Sequence, residues 1–204
     1  MLSIRGFKAI LVGAAFCSAQ PALARPADEC IASYQSKNYR IAFQLCKALA
    51  ERGNALAQNL LGFMYQHGQG VPVSYPKALK WIRKSARQGN AAARNNLGVM
   101  YRYGTGVRKN YSRAAYWFRK SAETGNATGQ VNLGHAYQNG RGVRASHVKA
   151  YMWYSLATRS ASNSFEANLA NANLKIVTQR MTTNQISRAR ILVQKCWYKR
   201  YRGC

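Results

Sequence analysis

Acidic residues are scarce in this sequence of 204 residues: Asp28, Glu29, Glu51, Glu123 and Glu166 stand against 31 lysines and arginines. The formal charge is therefore +26, a one-signed field that favours anionic partners and says nothing of the fold. Glu51, Glu123 and Glu166 fall singly in helical segments, so the carboxylate pair of a glycoside hydrolase is missing. No Cys-x-x-Cys occurs, which removes the usual signature of redox or zinc sites. His67, His135 and His147 have no metal-ligand spacing. No apolar run reaches the roughly 20 residues that a membrane span needs. No cofactor, metal or catalytic residue is expected, and a mature chain that is soluble is.

What is present begins with an address. Arg5 and Lys8 form a short basic region, Ala9 to Ala19 is apolar, and Ala22-Leu23-Ala24 supplies small residues for a signal peptidase. Residues 1–24 are expected to be a signal peptide cut after Ala24, placing the protein in the periplasm or outside the cell. Cys17 is then discarded, leaving Cys30, Cys46, Cys196 and Cys204. An even number of cysteines in an oxidising compartment suggests disulfides, and four permit three pairings. Cys30–Cys46 and Cys196–Cys204 is the favoured set. The first would join two antiparallel helices connected near Lys37 to Tyr39, and the second would fold the tail back. Four buried free thiols are the alternative.

With 48% hydrophobic and 18% charged residues the chain can bury a core, and its strongest signal is internal repetition. Residues 55–90 and 91–126 align without a gap, and a third copy starts at Ala127 and loses the pattern after Ala157, giving a period of 36 residues. Tyr34 to Asn54 matches the second half of a further unit. Leu61, Gly62 and Tyr65 recur as Leu97, Gly98 and Tyr101, then as Leu133, Gly134 and Tyr137. In this first helix of each unit the glycine lets a neighbouring helix approach, with leucine and tyrosine filling the space beside it. Paired glycines such as Gly68 and Gly70 then break the chain. Ser74, Asn110 or Ser146 is expected to cap the second helix. Ala78 with Trp81, Ala114 with Trp117, and Ala150 with Trp153 are expected to anchor it. Gly53, Gly89 and Gly125 fall at left-handed C-terminal caps.

These motifs, LGxxY, GxGV, and A-x-x-W followed by K-S-A and a closing glycine, resemble the Sel-one-like repeat family, a relative of the tetratricopeptide repeat. The resemblance covers residues 30 to about 163 and implies an all-α superhelical solenoid with C-terminal capping helices. It also implies an exported adaptor and not an enzyme. Where the family often carries aspartate, this sequence has Ser74, Asn110 and Ser146, and Arg87 replaces a glutamate. The expected division is a partial repeat at 25–54, repeats at 55–90, 91–126 and 127–163, and a cap with a basic aromatic tail at 164–204. Thr182 with Gln185 forms a candidate capping box for a helix from Thr183 to about Tyr198.

Two surfaces are candidates for binding. In the tetratricopeptide arrangement, first-helix positions opposite the packed face line a groove. Counting from the LG pair, these are Asn59, Phe63 and Gln66, then Asn95, Val99 and Arg102. In the third unit they are Val131, His135 and Gln138. Amides, one arginine and apolar groups suit an extended peptide. Lys77, Lys80, Lys84 and Arg87 form a helical stripe on the second helix, continued by Arg113 and Lys120. That basic face, with the tail's Lys195, Lys199, Arg200 and Arg202 interleaved with Trp197, Tyr198 and Tyr201, suits an anionic polymer or membrane surface.

Two apparent catalytic motifs dissolve into the repeat. Ser74-Tyr75-Pro76-Lys77 and Ser146-His147-Val148-Lys149 match S-x-x-K, but the serine is the helix cap, the equivalent stretch is Asn110-Tyr111-Ser112-Arg113, and no KTG or SDN partner exists. Each GxG is a structural turn and not a phosphate cradle. The function expected is an exported adaptor that binds a protein through the concave face of the repeats in the envelope or with a host. The other expectation is a basic protein binding lipopolysaccharide, wall polymer, anionic membrane or nucleic acid, without reading nucleotide sequence. Edman sequencing of the exported form should give a first residue of Arg25; an intact Met1 or a start elsewhere refutes the cleavage site.

Overall fold

Ten helices and no strand follow one another through the residues described by the computed structural model, 26–204. The predicted signal peptide and its cleavage site lie outside the described residues. In chain order the helices are α1 (Pro26–Gln35), α2 (Tyr39–Glu51), α3 (Ala55–His67), α4 (Tyr75–Arg87) and α5 (Ala91–Tyr103). After these come α6 (Tyr111–Ala122), α7 (Ala127–Asn139), α8 (His147–Ser160), α9 (Ser164–Thr178) and α10 (Thr183–Tyr198). They form antiparallel hairpins, α1 with α2, α3 with α4, α5 with α6 and α7 with α8, each stacked on the next in the quasi-one-dimensional manner of a solenoid. First helices of successive units also touch directly, α5 with α7 and α7 with α9, which puts them on the inner side of the curve.

Within each hairpin the contact is a knob over a glycine. A Cβ on Gly62 would lie 2.5 Å from Ile82 Cγ1, on Gly98 it would lie 2.6 Å from the Phe118 ring, and on Gly134 it would lie 2.5 Å from the Tyr154 ring. Ile82, Phe118 and Tyr154 occupy the same place in successive units and are fully buried. The anchoring role expected of the tryptophans goes to these neighbours instead. Trp153 alone is fully enclosed, while Trp81 and Trp117 only pack partly against the core, because the residue one step further along the helix points at the glycine. The alanines Ala78, Ala114 and Ala150 are buried and let the two backbones close.

Polar side chains then tie off the helix ends that stacking would leave bare. Gln58 Nε2, Arg94 Nε and Gln130 Nε2 occupy one repeat position and donate to the carbonyls of Ala50, Ala86 and Ala122, at 3.0, 3.3 and 3.3 Å. Each of those carbonyls belongs to the last turn of the preceding helix and also accepts from the closing glycine, Gly53, Gly89 or Gly125, so the side chain supplies its second hydrogen bond. The serine of K-S-A has a similar task. Ser85 Oγ and Ser121 Oγ donate to the carbonyls of Ala55 and Ala91 at 2.6 and 2.8 Å, joining the end of a second helix to the start of the first. Asn54, Asn90 and Asn126 cap the first helices, each accepting the amide hydrogen three residues on. At the second helices Asn110 and Ser146 accept from Arg113 and Lys149, but Ser74 makes no side-chain cap bond. Pro76 in the first turn supplies a fixed φ there and removes one of the amides needing a cap.

Disulfides close both ends. Cys30 joins Cys46 between α1 and α2, and Cys196 joins Cys204, turning the tail back on α10. The first closes a loop of 16 residues, a restriction of the unfolded chain worth about 3 kcal/mol. Thr182 and Gln185 make both bonds of a capping box at the head of α10. That helix lies against α8, with Arg159 over the Trp197 ring at 5.4 Å and Ser160 hydrogen-bonded to the Tyr201 hydroxyl at 3.0 Å. The stack ends there, and α9 leaves Phe165, Leu169 and Ile176 exposed.

The knob-over-glycine contact has a direct stability consequence. Gly98→Ala should lower the unfolding free energy in a urea titration. The clash with the Phe118 ring costs roughly 1–3 kcal/mol, more than the ~1 kcal/mol that alanine gains over glycine within a helix. Unchanged or raised stability would show that the hairpin interface yields freely.

Candidate functional site

Glycines and alanines turn one face of each first helix toward its partner, leaving the opposite side free along the inner surface. Of the nine groove positions predicted, Asn59, Phe63 and Gln66 on α3, Val99 and Arg102 on α5, and His135 and Gln138 on α7 are partly accessible. The other two are not open surface: Asn95 is 7% exposed and Val131, at 4%, is part of the core. The groove must therefore be redrawn. Counting from the LG pair sets positions 95 and 131 one residue too early, so that they turn under the neighbouring helix. Asn96 and Asn132 take the accessible place.

Asparagines link the inner helices into a ladder. Asn96 Nδ2 donates to Asn59 Oδ1 at 3.0 Å, and Asn132 Nδ2 donates to Asn95 Oδ1 at 2.8 Å. The acceptor atoms of Asn59 and Asn95, expected to hold a peptide, are thus already engaged. Arg102 donates to Asn132 Oδ1 at 3.1 Å, its guanidinium lying over the Tyr103 ring at 4.7 Å. Around the ladder the surface turns apolar, with Phe63 stacked on His67 at 3.9 Å and Tyr103 62% exposed.

The third unit adds a polar junction. Because its knob is tyrosine, the buried ring carries a hydroxyl through to α7, where Tyr154 Oη donates to Gln138 Oε1 at 2.6 Å and lies 3.1 Å from His135 Nδ1. Burial pushes the Tyr154 phenol well above its ordinary range, so it stays protonated. His135 is held below the usual imidazole value, first by burial and then by the charges of Arg102 and Arg141. Between α5, α6 and α7 lies a cavity of about 100 Å³, bordered by Arg102, Tyr111, Phe118, Asn132, His135 and Arg141 among others. Tyr111, Asn132, Asn139 and Arg141 escaped the sequence reading. The signal for the ladder was present, since Asn59 and Asn96, like Asn95 and Asn132, stand 37 residues apart, one more than the repeat.

The basic face keeps most of its cations in water. Lys77, Lys80, Lys84, Arg87 and Arg113 are exposed, and Lys120 less so. Part of the stripe has a packing role. Lys77, Arg113 and Lys149 share one repeat position and lie over the rings of Tyr65, Tyr101 and Tyr137 at 5.5, 5.6 and 5.3 Å. With carboxylates scarce, ring faces serve as the partners, each such contact worth about 0.5–1 kcal/mol at exposed sites. Among the described residues one ion pair forms, Lys120 with Glu123 at 3.9 Å. In the tail, Tyr198 is 85% exposed beside Lys195, Lys199 and Arg200.

Known proteins bear on this architecture. The family model described as Sel1 repeat matches residues 33–54, 55–90, 91–126 and 127–162. No curated protein matches the chain. Among solved structures, it is similar to a protective antigen present in uropathogenic Escherichia coli strains displaying an SLR fold, with 30% identity and a TM-score of 0.72. That match covers 86% of this chain and 38% of the antigen. It is also similar to a Sel1 repeat protein from Oxalobacter formigenes, with 28% identity, a TM-score of 0.63, and coverage of 84% of this chain and 75% of that one.

The depressed imidazole gives a pH signature. Above its ordinary value near 6.5, His135 is neutral in both folded and unfolded states and contributes no slope. As pH falls below 6.5 the unfolded chain takes up a proton that the folded chain refuses, so stability declines until the lower folded value is reached. Urea titrations at several pH values between 7.5 and 5 should show this loss, and His135→Gln should flatten it; an equal slope in the variant assigns the effect elsewhere.

Proposed function

The chain belongs to the Sel1 repeat family, and on that premise we propose that it is an exported adaptor that holds a partner polypeptide along the inner surface of its repeats. Sel1 repeat proteins typically mediate protein–protein interaction, and the family generally supplies scaffolds rather than catalysts. The observation that carries the reading is the inner stripe itself. Phe63, Val99 and Tyr103 remain partly or largely accessible on consecutive first helices beside an amide ladder with hydrogen-bonding capacity left over. An extended chain lying across it would meet apolar contacts at the side and polar contacts at the centre, the mixture that interfaces use. Export is supported by the leader-like residues 1–24 and by two disulfides, which persist in oxidising compartments.

A second reading has its own support in the charge. With 31 basic residues, five acids and a lone ion pair among the described residues, the basic face and tail offer cations free to meet an anionic envelope polymer or membrane. The two readings separate by salt. Crosslinking in cells should recover a defined protein partner. Phe63→Ser combined with Val99→Ser should cut its recovery at least tenfold while the thermal midpoint stays within a few degrees. Undiminished recovery would remove the inner surface from the account. Binding to lipopolysaccharide or wall fragments that collapses between 50 and 300 mM salt would instead support the charged surface.

A further inference from the structure

We propose that the cavity between the second and third full repeats receives the C-terminal residue of a partner polypeptide, its α-carboxylate between Arg102 and Arg141 and its apolar side chain against Phe118. The inference rests on the adaptor reading and narrows it to one anchoring point.

Charge comes first. Arg102 enters the cavity from α5 and Arg141 from the turn after α7, and no acidic residue lines it. The one ion pair among the described residues lies elsewhere, between Lys120 and Glu123. The two guanidiniums therefore share the cavity without a compensating charge, and the imidazole of His135 beside them is depressed by burial first and by their charges second. A ligand that brought one negative charge would relieve it.

Geometry comes second. Arg102 is held before any ligand arrives: Asn95 fixes Asn132, Asn132 accepts from Arg102 at 3.1 Å, and the Tyr103 ring supports the guanidinium plane. Two of its five N–H donors are spent on Asn132 and Tyr103, leaving the rest for a ligand. Arg141 lies over the Tyr111 ring at 5.6 Å and has no protein acceptor among the described residues. Arginine presents parallel donors that match the two oxygens of a carboxylate. Such preorganisation lowers the ordering cost of binding.

Size and polarity choose the source of the carboxylate. The cavity holds about 100 Å³, and its floor is Ala114, Ala115, Phe118 and Ala136. A filling ligand must carry an apolar side chain and a carboxylate on the same residue, which the end of a polypeptide does. An internal glutamate brings the charge but leaves the apolar floor uncovered. Asn132 and His135, partly accessible on the first helix α7, are among its lining residues, so a chain laid along the groove reaches the cavity's edge.

The test uses the purified exported protein and a pool of heptapeptides randomised at the last two positions, offered with free C-termini, as C-terminal amides, and as amides with an internal glutamate. Free acids should be retained at least tenfold over both other pools, with apolar final residues enriched. Arg141→Gln, at an exposed side chain, should erase that preference, and Arg141→Lys should restore part of it. Arg102→Gln should do the same provided circular dichroism shows the fold intact. Equal retention of acids and amides, or a preference that survives Arg141→Gln, overturns the proposal; equal retention of the internal-glutamate pool overturns its choice of chain end. If crosslinking captures a partner that does not depend on Arg141, the cavity assignment fails while the adaptor reading stands. Capture of no partner at all removes the adaptor reading itself.

Discussion

A buried side chain resting on a glycine is the contact on which the stack depends. At Gly62, Gly98 and Gly134 the missing Cβ lets the second helix of each hairpin approach until Ile82, Phe118 or Tyr154 fills the space. That approach fixes the rotation of each first helix. Its leucine then faces the core, its tyrosine reaches the basic residue of the second helix, and its remaining side points to the inner surface. The inner surface is thus a by-product of close packing on the other side, and small residues at 78, 114 and 150 are as necessary as the glycines. Helix ends created by so many short elements are tied by repeated side chains, Gln58, Arg94 and Gln130 in one position and Ser85 and Ser121 in another.

Charge imposes the second condition. A chain with a formal +26 repels itself, and the structure answers with ring faces in place of carboxylates. The tyrosine of LGxxY therefore has two uses, filling the hairpin and receiving a cation from Lys77, Arg113 or Lys149. Most of the other cations are left in water, on the second helices, in the turns and in the tail. Arg102 and Arg141 are the departure from that rule, drawn toward one cavity by α5 and by the turn after α7.

Much of the fold was legible because the repeat is local. Three copies in phase identify the hairpins, the glycine turns mark their ends, and the spacing of Leu97, Gly98 and Tyr101 gives the packed face of a helix. Less of the site was legible. A one-residue error in counting across the helix turned Asn95 and Val131 into groove residues when they lie under a neighbour. The A-x-x-W spacing points to tryptophan as the anchor of the second helix, yet Ile82, Phe118 and Tyr154, one residue on, are aimed at the glycines. Ser74 stands at the cap position of Asn110 and Ser146 but makes no side-chain cap bond, and Pro76 removes one of the amides that would need it.

By itself the sequence determined the all-helical repeat, its period and its excess of positive charge, since these follow from glycine, from apolar spacing and from composition. Only tertiary structure decided which residues meet. Asn59 finds Asn96, and Asn95 finds Asn132, because adjacent first helices are rotated and offset by the stack, a displacement that no single unit contains. Arg102 and Arg141 converge for the same reason, one from the body of a helix and the other from a turn 39 positions later in the chain. A period in sequence specifies what each unit is, whereas the curvature between units sets which side chains share a surface.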